Sequence, residues 1–149
     1  MLAASLNGAL GRAGLMLTLA SATFGAMATI YGVRRGDKRI LRMAPRYTWI
    51  CVAGAVLAIV MMQRALVTRD FSLAYIQQVG SSTTPALYNV AAMWSALEGS
   101  ILLWVVILAG FTAAVGWRFR RRTEDPLVGW ALVVMFVVMA FFALLSFGP

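Results

Sequence analysis

Long apolar stretches separated by short charged segments dominate the chain. Four of them approach or reach the roughly 20 residues that a helix needs to cross a bilayer core about 30 Å thick. These stretches are residues 14–33, 47–66, 101–117 and 127–147. Backbone polar groups in lipid need internal partners, so we expect helices, and the alternating short strands of a β-barrel are not visible. The pattern predicts an all-α integral membrane protein with one four-helix module over residues 1–149.

Positive charge predicts the orientation of this module. Segment 34–46 carries six lysine and arginine residues, and segment 118–126 carries four arginines. Lysine and arginine are enriched in short loops that stay on the cytoplasmic side. We therefore expect both segments to be cytoplasmic loops. Both termini and the loop 68–96 are then expected on the external, periplasmic side.

The first apolar stretch has a second interpretation, a cleavable signal peptide. Small residues at 25–28 are compatible with a cleavage site. A signal peptide, however, carries its positive charge before the apolar region. Here only Arg12 precedes the stretch, and a strongly basic loop follows it. The pattern favours an uncleaved first span.

Composition limits the chemistry that the chain can perform. The 149 residues are 62% hydrophobic, with a mean hydropathy of +0.84, which is far from a soluble domain. The net charge of +8 lies in loops that follow apolar runs, so we expect no nucleic-acid partner. There is no histidine, and the one cysteine, Cys51, lies in an apolar stretch. We therefore expect no catalytic residue, no metal site and no histidine-ligated haem supplied by this chain alone.

The segment 94–104 holds Glu98, the acidic residue nearest to a span on the side poor in positive charge. Ser95 precedes Glu98 at the spacing of a capping box, if a helix begins there. Alternatively, Glu98 is an external carboxylate that pairs with a cation or a partner. Further upstream, Thr84 followed by Pro85 predicts the N-cap and first residue of a helix. The spacing favours the capping role for Glu98 and leaves both interpretations open.

Several short motifs in this half of the chain resemble the N-terminal part of the CcmF family. In chain order they are Asp70-Phe71-Ser72, Tyr75, Pro85, Tyr88 and then Trp94-x-x-x-Glu98-Gly99-Ser100-x-x-x-Trp104. CcmF proteins are large membrane proteins of system I cytochrome c maturation, in a haem-handling superfamily with CcmC and CcsA. Asp125-Pro126 before the fourth span and the four-span layout are also similar to that family.

The resemblance implies a role in cytochrome c-type biogenesis, with haem as the cofactor. It implies haem transport and attachment to apocytochrome c, with CcmE, CcmH and CcmI type maturation proteins as partners. The motif residues would then lie on the external face of a haem lyase. The implied location is a bacterial inner membrane, with a mitochondrial inner membrane as the second possibility.

Two departures from the family limit what the resemblance implies. Family members often carry histidine directly before the Glu-Gly pair, where this chain has Leu97, so that position receives no ligand role. The family also continues for many more spans, and its haem ligands lie in that C-terminal part. We therefore expect the N-terminal part of a longer or split haem lyase, completed by the remaining CcmF segment or by a split-gene partner chain. Such a module is not catalytic alone.

A small four-span transporter or a respiratory-complex membrane subunit is the alternative function. A transport pathway needs polar groups at mid-membrane. The predicted spans offer hydroxyl groups there but no carboxylate; these hydroxyls belong to Thr18, Ser21, Thr23, Thr29 and Thr112. This sparse set favours the haem-lyase module over the alternative.

Overall fold

The computed structural model describes the backbone of residues 2–67 and 97–147 and the side chains of residues 6–65 and 99–147. These described residues form five helices: α1 (Leu2–Arg35), α2 (Lys38–Leu41), α3 (Ala44–Val67), α4 (Leu97–Arg118) and α5 (Pro126–Leu145). The described ranges contain helices and no strand, which confirms the all-α prediction. The predicted external loop 68–96, with the predicted helix start at Pro85, lies outside these residues.

Within the part of the chain that the structure describes, four segments are long and apolar enough to cross a bilayer, as the hydropathy pattern predicts. They are Leu6–Arg35, Lys38–Ala65, Gly99–Arg118 and Pro126–Leu145. The first helix starts at Leu2, ahead of the apolar stretch that begins at Gly14. Its 34 residues span about 50 Å at 1.5 Å per residue. Since this exceeds the bilayer core, α1 either tilts or extends beyond it.

A glycine ends α1 and turns the chain into α2. Gly36 has a φ of 66°, a left-handed conformation that favours glycine. The Asp37 amide donates to Gly32 O at 2.9 Å, and the Gly36 amide donates to Val33 O at 3.4 Å. This pair of bonds is a Schellman motif, which satisfies carbonyls at the end of the helix. The Asp37 carboxylate then accepts from the Arg39 and Ile40 amides and caps α2.

The start of α5 combines two residues that favour a helix N-terminus. Asp125 is the N-cap residue, and its Oδ1 accepts from the Leu127 amide at 3.0 Å. Pro126 follows at the first helical position, where the missing amide hydrogen costs nothing. The Asp-Pro pair therefore sets where the last membrane helix begins.

The four long helices pack as a closed up-and-down bundle. Helix α1 packs against α3 and α5, and α4 packs against the same two helices. Segments 34–46 and 118–126 therefore lie together at one end, here called the basic end. The start of α4 lies at the opposite end, here called the Glu98 end, together with the start of α1 and the ends of α3 and α5.

Small residues allow the closest helix contact, between α1 and α3. A Cβ atom added at Gly14 would lie 2.7 Å from Gly54 O, and one added at Gly54 would lie 2.6 Å from Gly14 O. Alanines of both helices, such as Ala22 and Ala55, are fully buried in the core. Lipid provides no hydrophobic drive between helices, so close packing of this kind holds them together.

Helix α5 contributes the largest buried side chains of the bundle. Phe136, Met139 and Leu132 are all essentially inaccessible to solvent. Gly25 of α1 leaves room for the Phe136 ring, because a Cβ at that position would approach the ring to 3.0 Å. The core therefore sets large apolar side chains of α5, one of them aromatic, among small residues of α1, α3 and α4.

Candidate functional site

The described part of the predicted motif lies at the start of α4. Glu98, Gly99, Ser100 and Trp104 all belong to this helix. The other motif residues lie outside the described residues; they are Asp70, Phe71, Ser72, Tyr75, Pro85, Tyr88 and Trp94. The capping box predicted between Ser95 and Glu98 falls partly in that segment and stays a prediction. So does any role of the Glu98 side chain, which is likewise outside the described side chains.

The motif residues of α4 occupy two different faces of the helix. Gly99 is buried, and Leu102 and Val105 continue the same inward face with 3% and 0% exposure. Trp104 lies on the outer face and is 55% exposed. It lies about 9 Å along the helix axis from Glu98, at 1.5 Å per residue. The motif therefore joins a packing glycine to an exposed tryptophan near one end of the membrane module.

Two hydroxyl groups of α1 form hydrogen bonds to α3. Thr18 Oγ1 donates toward two carbonyls, Gly14 O at 3.0 Å and Cys51 O at 3.4 Å. Ser21 Oγ donates to Tyr47 O at 3.1 Å. Interhelical bonds of this kind stabilise membrane helix pairs by about 0.6 kcal/mol on average. They add directional contacts to the small-residue interface.

The other predicted mid-span hydroxyls bond to carbonyls of their own helices. Thr29 donates to Gly25 O and Thr112 donates to Leu108 O, each at 2.6 Å. Thr23, which is exposed, donates to Leu19 O at 2.8 Å. A hydroxyl bonded to the carbonyl four residues earlier is satisfied within its own helix. These groups therefore act in helix structure and packing, and they do not line a polar route through the described helices.

Ion pairs at the basic end join the two basic segments. Glu124 Oε2 lies 2.9 Å from Lys38 Nζ, and Glu124 Oε1 lies 2.6 Å from Arg42 Nη2. Hydrogen bonds from Lys38 and then Arg42 hold the pKa of Glu124 below its ordinary value of 4.5. Both cations are largely exposed, so each pair contributes little stability by itself. The carboxylate nevertheless connects segment 34–46 to segment 118–126.

Comparisons with known proteins identify the relatives of this chain. No protein-family model matches it. The cytochrome c-type biogenesis protein CcmF of Escherichia coli K12 is 36% identical over 138 residues, which cover 91% of this chain. The biogenesis protein CycK of Rhizobium meliloti 1021 is 33% identical over 94% of the chain. A solved structure of a cytochrome c haem lyase CcmF covers 95% of the chain with a TM-score of 0.85 and 31% identity.

The chain is a relative of the CcmF proteins. This confirms the resemblance inferred from the motifs, and the N-terminal part of CcmF fits the match. The chain spans about a fifth of the curated relatives, 21% of each of the two named above, and 24% of the solved CcmF chain. The likeness to CcmF therefore concerns one membrane module of a much larger protein.

The residues of this chain cannot supply a histidine ligand to a haem. The chain has no histidine, which is the usual protein ligand for haem iron. Cys51 is fully buried where α1 meets α3, and Met139 is fully buried in the core. The described residues also hold no group of three metal-ligating side chains. A histidine ligand for haem would therefore have to come from another segment or another chain.

Sequence reasoning missed the two contacts that define the interior and the basic end. Glycine spaced four residues from a small residue, as in Gly14-x-x-x-Thr18 and Gly54-x-x-x-Ala58, indicates that a helix can pack closely but does not identify its partner helix. The pairing of Glu124 with Lys38 and Arg42 had only a weak signal, an acidic residue in a basic loop on the same predicted side.

Proposed function

We propose that the chain is the N-terminal membrane module of a cytochrome c haem lyase, which scaffolds the transfer of haem to apocytochrome c. The observation that carries this proposal is the match to the solved CcmF haem lyase, at a TM-score of 0.85 over 95% of the chain. The haem ligands and the attachment chemistry then belong to the remaining CcmF segment or to a split-gene partner chain.

The packing of the bundle supports a scaffolding role. Helices α1 and α3 are held by the Gly14–Gly54 contact and by the Thr18 and Ser21 hydrogen bonds. Such contacts leave little freedom for the helices to slide. A rigid module of this kind would position the Glu98 end, with the described motif residues of α4, against the rest of the lyase.

Charge supports a location in the bacterial inner membrane with the basic end in the cytoplasm. Lysine and arginine are concentrated in segments 34–46 and 118–126, and such loops stay on the cytoplasmic side. The Glu98 end, both termini and the loop 68–96 would then face the periplasm. That is the side on which CcmE, CcmH, CcmI and apocytochrome c would meet this module.

Trp104 provides the contact by which this end would meet the rest of the lyase. It is exposed on the outer face of α4, one turn and a half beyond Gly99. Tryptophan is enriched at protein interfaces, where truncating a central one costs about 2 kcal/mol or more. Glu98 would act beside it as a hydrogen-bonding or ion-pairing element of the external wall.

Replacing Trp104 tests this proposal, with Trp49 as a matched control. Both tryptophans are 55% exposed, but Trp49 lies near the basic end of α3. We expect Trp104→Ala to reduce both the co-purification of the remaining lyase chain or segment and the yield of covalent haem on cytochrome c. Trp49→Ala should leave both unchanged.

Haem staining of membrane and periplasmic fractions measures the yield, and thermal unfolding of each variant verifies that the bundle is intact. Equal yields for Trp104→Ala and the wild type would contradict a docking role for this face of α4. Equal losses of haem yield and co-purification for the two variants, with intact folding, would show that any exposed tryptophan at the lipid surface has this effect. That result would also contradict a docking role for this face of α4.

A further inference from the structure

The basic end carries far more positive than negative charge. Its acidic residues, Asp37, Glu124 and Asp125, are each engaged within the protein. Asp37 and Asp125 cap helices, and Glu124 pairs with Lys38 and Arg42. The arginines of segment 118–126 form no ion pair within the described residues. They are Arg118, Arg120, Arg121 and Arg122.

Residues 117–122 form an open cleft of about 430 Å³, here called the arginine cleft. The Arg120 guanidinium lies 4.9 Å from the centroid of the Trp117 ring, and its Nη1 donates to Trp117 O at 3.1 Å. The Arg118 guanidinium lies 5.9 Å from the centroid of the Phe119 ring. Cation–π contacts of this kind hold a guanidinium in place while its outer edge stays available.

The arginine cleft lies where α4 leaves the membrane. Helix α4 ends at Arg118, directly after Trp117, which is 57% exposed. Tryptophan is favoured at headgroup depth, so the cleft lies beside the phosphates of one leaflet. The outward stripe of α4 below it is apolar, with Ile107 and Phe111 exposed. A cationic cleft thus continues directly into a surface suited to acyl chains.

We propose that the arginine cleft binds the headgroup of an anionic phospholipid, with its acyl chains along the exposed stripe of α4. The guanidinium groups of Arg120 and Arg121 donate to the phosphate, whose planar pairs of oxygens match the arginine fork. Trp117 orients Arg120 and packs on the glycerol region. This site does not depend on the haem-lyase proposal, because it rests on residues of the opposite end of the module.

A photoactivatable phosphatidylglycerol provides the test. The chain, purified with any partners that accompany it, is placed in nanodiscs of phosphatidylcholine with increasing phosphatidylglycerol probe. We expect saturable cross-linking that maps to residues 117–122. A phosphatidylcholine probe should label this segment weakly and without saturation.

Two variants that each lose one positive charge distinguish lipid binding in a defined cleft from general attraction of lipid to a basic surface. Arg120 belongs to the cleft, whereas Arg34 lies at the same end, outside it, and is also exposed. Loss of one phosphate-binding arginine should raise the half-saturating probe fraction about tenfold for Arg120→Gln, because it removes a hydrogen bond between charged groups. Arg34→Gln should raise it clearly less, because Arg34 lies outside the cleft and adds only to the diffuse surface potential.

Arg121→Gln is a second variant of the cleft and should behave like Arg120→Gln. Circular dichroism and thermal unfolding verify that each variant keeps its helices. An equal shift for Arg120→Gln and Arg34→Gln would show diffuse attraction and overturn the proposal. Cross-links that map outside residues 117–122, or equal saturable labelling by the phosphatidylcholine probe, would overturn it too.

Discussion

Gly14 and Gly54 bring the backbones of α1 and α3 into direct contact. A side chain at Gly54 would meet Thr18 Oγ1 at 2.5 Å and Gly14 O at 2.6 Å. The second of these atoms belongs to the backbone and cannot rotate away. Thr18 bonds to Gly14 O and Cys51 O at the same place. Individual residues at this crossing therefore decide how closely the first two membrane helices pack.

Gly54→Ala should destabilise the bundle, and Gly110→Ala in α4 is the matched control. Nothing lies within 4 Å of a Cβ atom added at Gly110. Alanine improves helix propensity in both variants by about 1 kcal/mol, so the difference between them reports the contact. Overpacking of this kind lowers the free energy of unfolding by about 1–3 kcal/mol. Thermal unfolding in detergent measures it, and equal stability of the two variants would contradict the close contact.

Glu124 makes a pH-dependent contribution to stability at the basic end. Its pKa is lowered in the fold from the ordinary value of 4.5, which the unfolded chain retains. The ion pairs therefore stabilise the fold above that value, and their contribution disappears as pH falls through the lowered pKa. We expect Glu124→Gln to be slightly less stable than the wild type at neutral pH and low salt.

Unfolding of wild type and Glu124→Gln, followed from neutral pH into acid, measures this contribution. The difference between the two proteins should close as the pH drops below the lowered pKa. High salt at neutral pH should reduce the same difference, because both cations are exposed and exposed charges are screened. A difference that persists unchanged in acid would contradict the ion-pair origin.

Short local sequence signals set where the helices begin and end at the basic end. Gly36 and Asp37 end α1 and start α2 through a Schellman motif and a cap. Asp125 and Pro126 start α5 in the same local way. Since these signals involve neighbours along the chain, the positions of the basic segments between helices follow from the sequence.

Labelling of single cysteines tests the predicted orientation of these helices. In a Cys51→Ala background, Arg121→Cys reports the basic end and Ser82→Cys reports the loop 68–96. We expect a membrane-impermeant thiol reagent to label Ser82→Cys in spheroplasts and Arg121→Cys only after the membrane is opened. The opposite pattern would contradict the proposal that the basic end faces the cytoplasm.

Hydropathy predicted the four membrane helices because each is a self-contained apolar segment. It did not predict which helices touch, since glycine, alanine and serine occur throughout the spans and mark no partner. The Gly25–Phe136 contact of α1 with α5 joins residues far apart in the chain. The Glu124 pairs likewise depend on how two loops meet after folding. The fit between folded surfaces decides which helices and loops meet, and the local sequence pattern does not show this fit.

The candidate site was predictable through resemblance, and only in part. The motif residues Glu98, Gly99, Ser100 and Trp104 lie on one helix. Their spacing along the chain therefore determines which of them share a face of that helix. Which face is buried became clear only from packing, with Gly99 inward and Trp104 outward. The motif residues of the loop 68–96 stay predictions, and so do their contacts with one another.

The molecule as a whole combines two ends with different chemistry. Arginines, lysines and cap residues occupy the basic end, and the described motif residues of α4 occupy the Glu98 end. The close-packed bundle between them contains no histidine and pairs its hydroxyls with backbone carbonyls. The bundle as a whole is similar to one part of the solved CcmF haem lyase.

Deletion and restoration of the chain is the most direct test of the central claim. The measured quantity is covalently bound haem on c-type cytochromes, detected by haem staining after denaturing electrophoresis. We expect the stain to disappear when the segment encoding residues 1–149 is removed and to return when the wild-type chain is supplied from a plasmid, with apocytochrome present throughout. Undiminished covalent haem in the deletion strain would contradict a role in cytochrome c maturation.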